Sequence, residues 1–219
     1  MTSGNKPISL KISEIFFSLQ GEATRVGLPT VFVRLTGCPL RCVWCDSEHA
    51  FAGGKRMSPA QIVETVAHYG ARQVCVTGGE PLAQKGCRSL LTTLCDAGYD
   101  VSLETSGALG IDGIDPRVSR IVDLKAPGSG ESGKNRWQNL ELLTPRDEIK
   151  FVLIDRADYE WARDTVAEYG LGSRCPVLFS AVQGKLAPVD LAEWILADRL
   201  PVRFQMQLHK LLWGNMQGK

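Results

Sequence analysis

Three cysteines lie close together in a short segment that contains glycine and proline. Cys38, Cys42 and Cys45 follow the spacing C-x3-C-x2-C within residues 37–47. A loop of this composition lets the thiolates converge, and each can occupy one corner of a metal site. Spacing alone leaves three interpretations open: a 4Fe-4S cluster with one iron lacking a cysteine, a zinc site completed by His49, or cysteines that bind no metal.

The other four cysteines, Cys75, Cys87, Cys95 and Cys175, are scattered through apolar or helical contexts. Residues 1–7 are polar and do not resemble a signal peptide, so we expect a cytoplasmic protein with reduced thiols. In that setting these four side chains are predicted to be small buried hydrophobic groups.

Length and charge restrict the class of protein. With 219 residues and roughly 150 residues per domain, we expect a single domain over residues 1–219. The 25 basic and 24 acidic residues leave a net charge of +1, which argues against a nucleic-acid partner because such a surface needs a clustered basic excess. No stretch approaches the roughly 18 apolar residues of a membrane span, so no membrane partner is expected.

Short apolar runs rich in β-branched residues predict seven strands. They cover residues 30–35, 73–77, 100–104, 120–124, 149–154, 177–180 and 202–206. Four helices are predicted between some of them, and the clearest has Ser58 as N-cap, Pro59 at its first position and Gly70 after its end. The others are expected around residues 90–95, 161–169 and 188–195.

Strands that alternate with helices indicate crossover units and a mostly parallel sheet, whose ligands gather at the carboxyl ends of the strands. Two crossovers lack a helical pattern, because residues 106–117 are rich in Gly and Asp and residues 126–138 in Gly and Ser. We therefore expect an α/β fold in the form of a partial, trimmed (β/α) barrel with some helix-poor crossovers.

The cysteine segment carries a more specific signature. Trp44 directly precedes the third cysteine, and a Gly-Gly-Glu-Pro run at residues 78–81 follows the next predicted strand. This pair of motifs resembles the radical S-adenosylmethionine (SAM) superfamily. Within it, the chain resembles the 7-carboxy-7-deazaguanine synthase family in a series of short sequence motifs. They occur in order at residues 18–22, 32–39, 45–47, 77–81, 103–107, 123–125 and 207–210.

The resemblance implies a cluster and a cofactor. Cys38, Cys42 and Cys45 would hold a 4Fe-4S cluster, its fourth iron would bind SAM, and an electron from the cluster would cleave SAM to methionine and a 5′-deoxyadenosyl radical. The residues expected to contact SAM are Trp44, Cys45, Asp46, Gly79, Asp123, Leu124 and Lys125. Gly79 lacks a Cβ, which permits a close approach.

The implied substrate is 6-carboxy-5,6,7,8-tetrahydropterin, and the family pattern assigns it to Leu19, Gln20, Gly21, Arg34 and Thr77. The planar fork of Arg34 can bind a carboxylate, whereas the alternative is a side chain that points to solvent. The amide of Gln20 can donate and accept hydrogen bonds, as a pterin edge requires. Glu104 and His209 are the candidate catalytic residues, and the alternative for both is that they only brace strand ends.

Ser47 occupies the position at which the family generally carries threonine as a Mg²⁺ ligand. Both residues offer a hydroxyl, but serine is less restrained at χ1. Mg²⁺ prefers six oxygen ligands. We therefore expect a Mg²⁺ site that forms mainly when substrate oxygens complete it.

The implied reaction is a ring contraction that releases ammonia and forms 7-carboxy-7-deazaguanine, a precursor of queuosine. It requires an external electron donor such as a flavodoxin or ferredoxin, and the family suggests a homodimer. Two other functions stay open. A glycyl-radical-activating enzyme would share the cluster loop but act on a protein partner. The motifs at residues 18–22 and 207–210 argue against this function. A zinc-stabilised binding module would use the three cysteines with His49.

Overall fold

A computed structural model describes residues 8–219, and their nine strands form one sheet. The strands are β1 Leu10–Leu19, β2 Pro29–Leu35, β3 Lys55–Met57, β4 Gln73–Gly78, β5 Asp100–Thr105, β6 Ser119–Asp123, β7 Glu148–Leu153, β8 Val177–Ala181 and β9 Arg203–Gln205. Their order is β3-β1-β2-β4-β5-β6-β7-β8-β9. All pairs from β2 to β9 are parallel, and β1 is antiparallel to both of its neighbours. The predicted mostly parallel, open sheet is confirmed.

The sequence prediction omits β1 and β3. In β1 the pairing register shifts between Ile12 and Glu14, where a β-bulge interrupts the ladder to β2. A bulge changes the phase of the alternation between inward and outward side chains, so the apolar pattern of β1 does not repeat every second residue. β3 has only three residues, which is too short for a pattern.

The helices are α1 Pro59–Ala67, α2 Cys87–Asp96, α3 Arg156–Glu168, α4 Pro188–Asp198 and α5 Leu208–Trp213. The first four confirm the predicted helices, and the capping box of α1 forms between Ser58 and Gln61. The six residues of α5 are too few to show helical periodicity. Within residues 8–219, no helix combines the length and apolar character that crossing a membrane would require.

Both crossovers that lack a helical pattern are helix-poor in the structure. Residues 106–118 contain no helix, and the connection from β6 to β7 contains only short 3₁₀ turns, at Pro127–Ser129, Ser132–Lys134 and Trp137–Leu142. This side of the sheet is therefore covered by loops, as a trimmed barrel requires.

The four scattered cysteines are buried, as predicted. Cys87 packs in the hydrophobic core with leucines of α2 such as Leu90 and Leu94. Burial raises the pKa of the Cys87 thiol to about 12 and that of Cys175 to about 11. These thiols are therefore protonated near neutral pH and serve as apolar filling.

Residues 20–28, here called the bridging loop, join β1 to β2 and reach strands on the far side of the sheet. The side-chain amide of Gln205 on β9 donates to the carbonyl of Ala23 and accepts from its N–H, at 2.9 and 2.8 Å. The N–H of Thr24 donates to Glu148 on β7 at 2.8 Å. The bridging loop therefore connects the first half of the open sheet to its last strands.

Candidate active site

The carboxyl ends of the parallel strands surround a cavity of about 960 Å³. It is lined by most of the predicted site residues, namely Leu19, Gln20, Arg34, Cys38, Cys42, Trp44, Cys45, Asp46, Ser47, Thr77, Gly79, Glu104, Asp123, Lys125 and His209. Two predicted residues do not line it. The side chain of Leu124 is buried in the core, and its N–H donates to the carbonyl of Lys150 at 2.9 Å. Gly21 lies beneath the ring of His209.

The three clustered thiols line this cavity and are half-buried. Burial raises the pKa of Cys38, Cys42 and Cys45. In residues 8–219 no three His, Cys, Asp or Glu side chains converge closely enough to hold one metal ion. His49 does not complete a zinc site with the thiols, since its Nε2 lies 3.1 Å from Glu14 Oε1. In a 4Fe-4S cluster each thiolate binds a different iron, so three thiols on one side of the cavity are compatible with such a cluster.

The Gly-Gly-Glu segment lies directly against the cysteine loop. The N–H of Glu80 donates to the carbonyl of Gly37 at 2.7 Å. A Cβ on Gly79 would lie 2.5 Å from that same oxygen and 2.7 Å from the Cβ of Cys38. Only glycine fits at such a distance, so Gly79 is required for the contact between the two motifs.

The side chain of Glu80 has a role that the sequence did not reveal. It is fully buried and does not line the cavity. Its carboxylate accepts hydrogen bonds from the N–H of Leu82 at 2.9 Å, the N–H of Ser106 at 2.7 Å and the hydroxyl of Thr105 at 2.9 Å. Glu80 therefore fixes the end of β4, next to Gly79, to the end of β5.

Four charged side chains form a group that lines the cavity beside β6 and β7. Lys150 contacts Glu22 and lies 3.3 Å from Asp123, which lies 3.0 Å from Lys125. Burial alone would lower the pKa of Lys150, but Glu22 and Asp123 raise it well above its ordinary value. Burial would raise the pKa of Glu22, but Lys150 outweighs it and the net shift is downward. Both side chains are therefore charged.

The sequence analysis did not select Lys150 or Glu22 as site residues. One feature of the sequence could have indicated Lys150: it is the only cationic residue in the apolar strand β7. All six residues of that strand are buried. A buried lysine needs an anionic partner, and Glu22 supplies it from the bridging loop.

The predicted substrate residues meet on another wall of the cavity. Glu104 accepts hydrogen bonds from the hydroxyl of Thr77 at 2.9 Å and from the amide of Gln20 at 3.3 Å. A Cβ on Gly21 would lie 2.2 Å from Nδ1 of His209, so the imidazole rests on the glycine backbone. Four segments distant in sequence therefore place polar groups in one place.

Arg34 faces the cavity, with 17% of its side chain exposed. One of its terminal amines donates to the hydroxyl of Ser47 at 3.3 Å. The alternative in which this arginine points to solvent is therefore wrong. The arrangement places the predicted carboxylate-binding residue beside the predicted Mg²⁺ ligand.

Helix α5 is attached to the cysteine loop by an ion pair. Lys210 Nζ lies 3.0 Å from Asp46 Oδ2. Burial alone would raise the pKa of Asp46, but Lys210 and a hydrogen bond from Ser47 lower it to about 2. Residues 214–219, from which the sequence analysis assigned no site residue, line the same cavity.

Comparison with known proteins gives a consistent result. The family profile of the Radical SAM superfamily matches residues 32–166. A 7-carboxy-7-deazaguanine synthase of Chlorobaculum tepidum is 47% identical over 94% of each chain. The one of Koribacter versatilis is 46% identical over 93% of this chain and 97% of its own.

Solved structures agree with the relatives. The crystal structure of QueE from Escherichia coli is 25% identical, has a TM-score of 0.76, and covers 92% of this chain and 95% of its own. Streptococcus suis SuiB bound to S-adenosylmethionine is 15% identical with a TM-score of 0.56 over 77% of this chain and 48% of its own. The second likeness concerns the fold alone.

Proposed function

Because the chain belongs to the 7-carboxy-7-deazaguanine synthase family of the radical SAM superfamily, we propose that it converts 6-carboxy-5,6,7,8-tetrahydropterin to 7-carboxy-7-deazaguanine with loss of ammonia. This is a step in the synthesis of the queuosine precursor. The observation that carries the proposal is one cavity in which three thiols face a carboxylate-binding arginine and a set of polar groups suited to a pterin. Glycyl-radical activation and a zinc module are less consistent with the relatives, which are 7-carboxy-7-deazaguanine synthases.

The side of the cavity formed by the three cysteines fits a cluster and SAM. Cys38, Cys42 and Cys45 would hold three irons, and Gly79 lies against their loop. Asp123 Oδ1 is buried and accepts no hydrogen bond from residues 8–219, so it can accept one from a cofactor. Lys125 stays charged because Asp123 and Cys42 raise its pKa more than burial lowers it. When bound, the cluster and SAM supply the one-electron chemistry that removes a hydrogen atom from the substrate.

The remaining cavity residues bind and orient the substrate in this proposal. Arg34 binds its carboxylate, and Gln20 pairs with the pterin edge. Glu104 and His209 are the proposed catalytic residues, since each has a side chain that can hold or move a proton at a ring nitrogen. The hydrogen bond that Glu104 accepts from Thr77 keeps its carboxylate in one orientation. Such positioning keeps the reacting atoms aligned and reduces the access of water.

Mg²⁺ is proposed to bind the hydroxyl of Ser47 together with oxygens of the substrate. The hydroxyl lines the cavity beside Arg34, which places it near the expected substrate carboxylate. One protein hydroxyl is a weak site by itself, because Mg²⁺ requires six oxygen ligands. Substrate binding and Mg²⁺ binding are therefore coupled in this proposal.

We further propose a single domain over residues 1–219, a homodimer, a cytoplasmic location and an external electron donor such as a flavodoxin or ferredoxin. Such a donor would approach the cysteine loop, where Val43 is 74% exposed. The cytoplasmic location is supported by seven free thiols. Sedimentation of the reconstituted protein tests the homodimer, and turnover with purified flavodoxin or ferredoxin tests the donor.

The central test is turnover under anaerobic conditions. The protein is reconstituted with iron and sulfide and incubated with SAM, reductant, Mg²⁺ and 6-carboxytetrahydropterin, and the products are identified by mass spectrometry. We expect 7-carboxy-7-deazaguanine from the parent and none from Cys38→Ala. The matched control is Cys95→Ala, which removes a thiol that lies in the core, outside the cavity.

Two outcomes would contradict the proposal. A cluster that forms and cleaves SAM while the pterin stays unchanged would make the substrate assignment wrong. A colourless protein that contains zinc after anaerobic purification would exclude the radical chemistry as well.

A further inference from the structure

The bulge in β1 places a carboxylate opposite Arg34. Ile12 pairs with Leu35, and Glu14 pairs with Arg34, the adjacent residue of β2, so Ser13 is the extra residue. In an uninterrupted antiparallel ladder Ser13 would face Arg34, and Glu14 would point to the same face as Ile12, which is the core face. The bulge therefore moves Glu14 from the core face to the cavity, where its side chain is found.

Arg34 is held from three directions. Its Nε donates to Glu14 Oε1 at 2.7 Å, and a terminal amine donates to Ser47 Oγ at 3.3 Å. Its guanidinium carbon lies 5.8 Å from the centroid of the Phe16 ring. Glu14 Oε1 is also 3.1 Å from Nε2 of His49, so the carboxylate itself has a second contact that fixes it.

We propose that Glu14 is a positioning residue that sets the orientation in which Arg34 binds the carboxylate of the substrate. The inference rests on the proposed function. Glu14 accepts the hydrogen bond of Arg34 Nε, and Ser47 accepts one hydrogen bond from a terminal amine. The other terminal N–H groups are therefore the ones that Arg34 presents to the substrate. Glu14 acts through Arg34 and makes no substrate contact of its own.

Orientation and charge make opposite predictions for the loss of Glu14. By Coulomb's law alone, removing an anion near an anion-binding site strengthens the binding of a carboxylate. If Glu14 orients Arg34, its removal weakens binding, because the guanidinium loses a charge-assisted hydrogen bond and its fixed plane. The sign of the change therefore separates the two effects.

The test measures substrate affinity without turnover. Reconstituted protein is saturated with SAM, reductant is omitted, and the dissociation constant of 6-carboxytetrahydropterin is measured by equilibrium binding. We expect Glu14→Ala to weaken the affinity about tenfold. Glu14→Gln should stay within about threefold of the parent, because its amide oxygen still accepts from Arg34 Nε. Iron content and SAM affinity should not change, and neither should substrate affinity in the control Glu64→Gln, on the exposed face of α1.

A second test asks whether the effect of Glu14 depends on Arg34. Lysine has no Nε–H beside a planar fork, so Glu14→Ala added to Arg34→Lys should cause no further loss. The inference is overturned if Glu14→Ala binds substrate as tightly as the parent or more tightly, if Glu14→Gln loses as much as Glu14→Ala, or if the loss persists in Arg34→Lys. A parent that binds no pterin would instead contradict the proposed function.

Discussion

Ser47 is the residue at which the proposed metal site is most directly testable. Ser47→Ala should raise the Mg²⁺ concentration for half-maximal turnover about tenfold, because the protein loses its proposed ligand. Ser47→Thr is the matched control and should respond to Mg²⁺ as the parent does, since it keeps the hydroxyl. Turnover measured against Mg²⁺ concentration checks both variants. An equal Mg²⁺ response in the parent and Ser47→Ala would exclude this ligand.

At the residue scale, the sequence identified side chains that belong to continuous motifs. Cys38, Cys42, Cys45 and Gly79 lie in such motifs, and the structure brings these motifs to one cavity. Glu14 and Lys150 belong to no short motif, because their roles arise from partners on other strands. A one-residue bulge determines the face of the sheet on which Glu14 lies, and no local sequence pattern predicts that bulge.

At the scale of elements, parallel strands were predictable because both of their faces are covered and they appear as apolar runs. The four longer helices were predictable from caps and apolar stripes. Helix α5 was not, because its six residues are held in place by contacts outside the helix. The N–H of Leu208 donates to the carbonyl of Gly21 at 3.0 Å, and Lys210 pairs with Asp46.

The ion pair between α5 and the cysteine loop leads to a prediction about pH. The pKa of Asp46 is lowered to about 2 in the folded protein, so the pair's contribution is present above the ordinary pKa of about 4 and is lost as the pH falls through 2. The contribution of this ion pair to the protection of α5 amides from hydrogen exchange, corrected for intrinsic rates, should therefore be equal at pH 5 and pH 7.

Lys210→Met should lower that protection several-fold at both pH values, because it removes the cation that faces Asp46. The control is Lys85→Met, an exposed lysine remote from this pair. If Lys210→Met exchanges as the parent does at both pH values, the ion pair does not hold α5.

At the scale of the whole molecule, the open sheet depends on the bridging loop. Arg25 donates to Gln73 at 2.8 Å, to Asp100 at 2.8 Å and to Ser119 at 3.1 Å, which lie on β4, β5 and β6. These partners are 48 to 94 residues away in sequence, so no local pattern could indicate them. The same loop reaches β9 through Gln205. It thus supplies cross-connections that a closed barrel would obtain from neighbouring strands.

Arg25→Met should therefore destabilise the entire fold. Only 17% of the arginine side chain is exposed, and its loss leaves three polar partners without their donor, which costs about 1–3 kcal/mol in the free energy of unfolding. Urea denaturation of the cluster-free protein under reducing conditions measures this cost. The control is Arg146→Met, an exposed arginine, which should unfold at the parent's midpoint. If Arg25→Met also unfolds at that midpoint, the bridging loop lines the cavity but does not stabilise the sheet. If it unfolds earlier, the loop that carries Gln20 and Glu22 into the cavity also stabilises the open barrel.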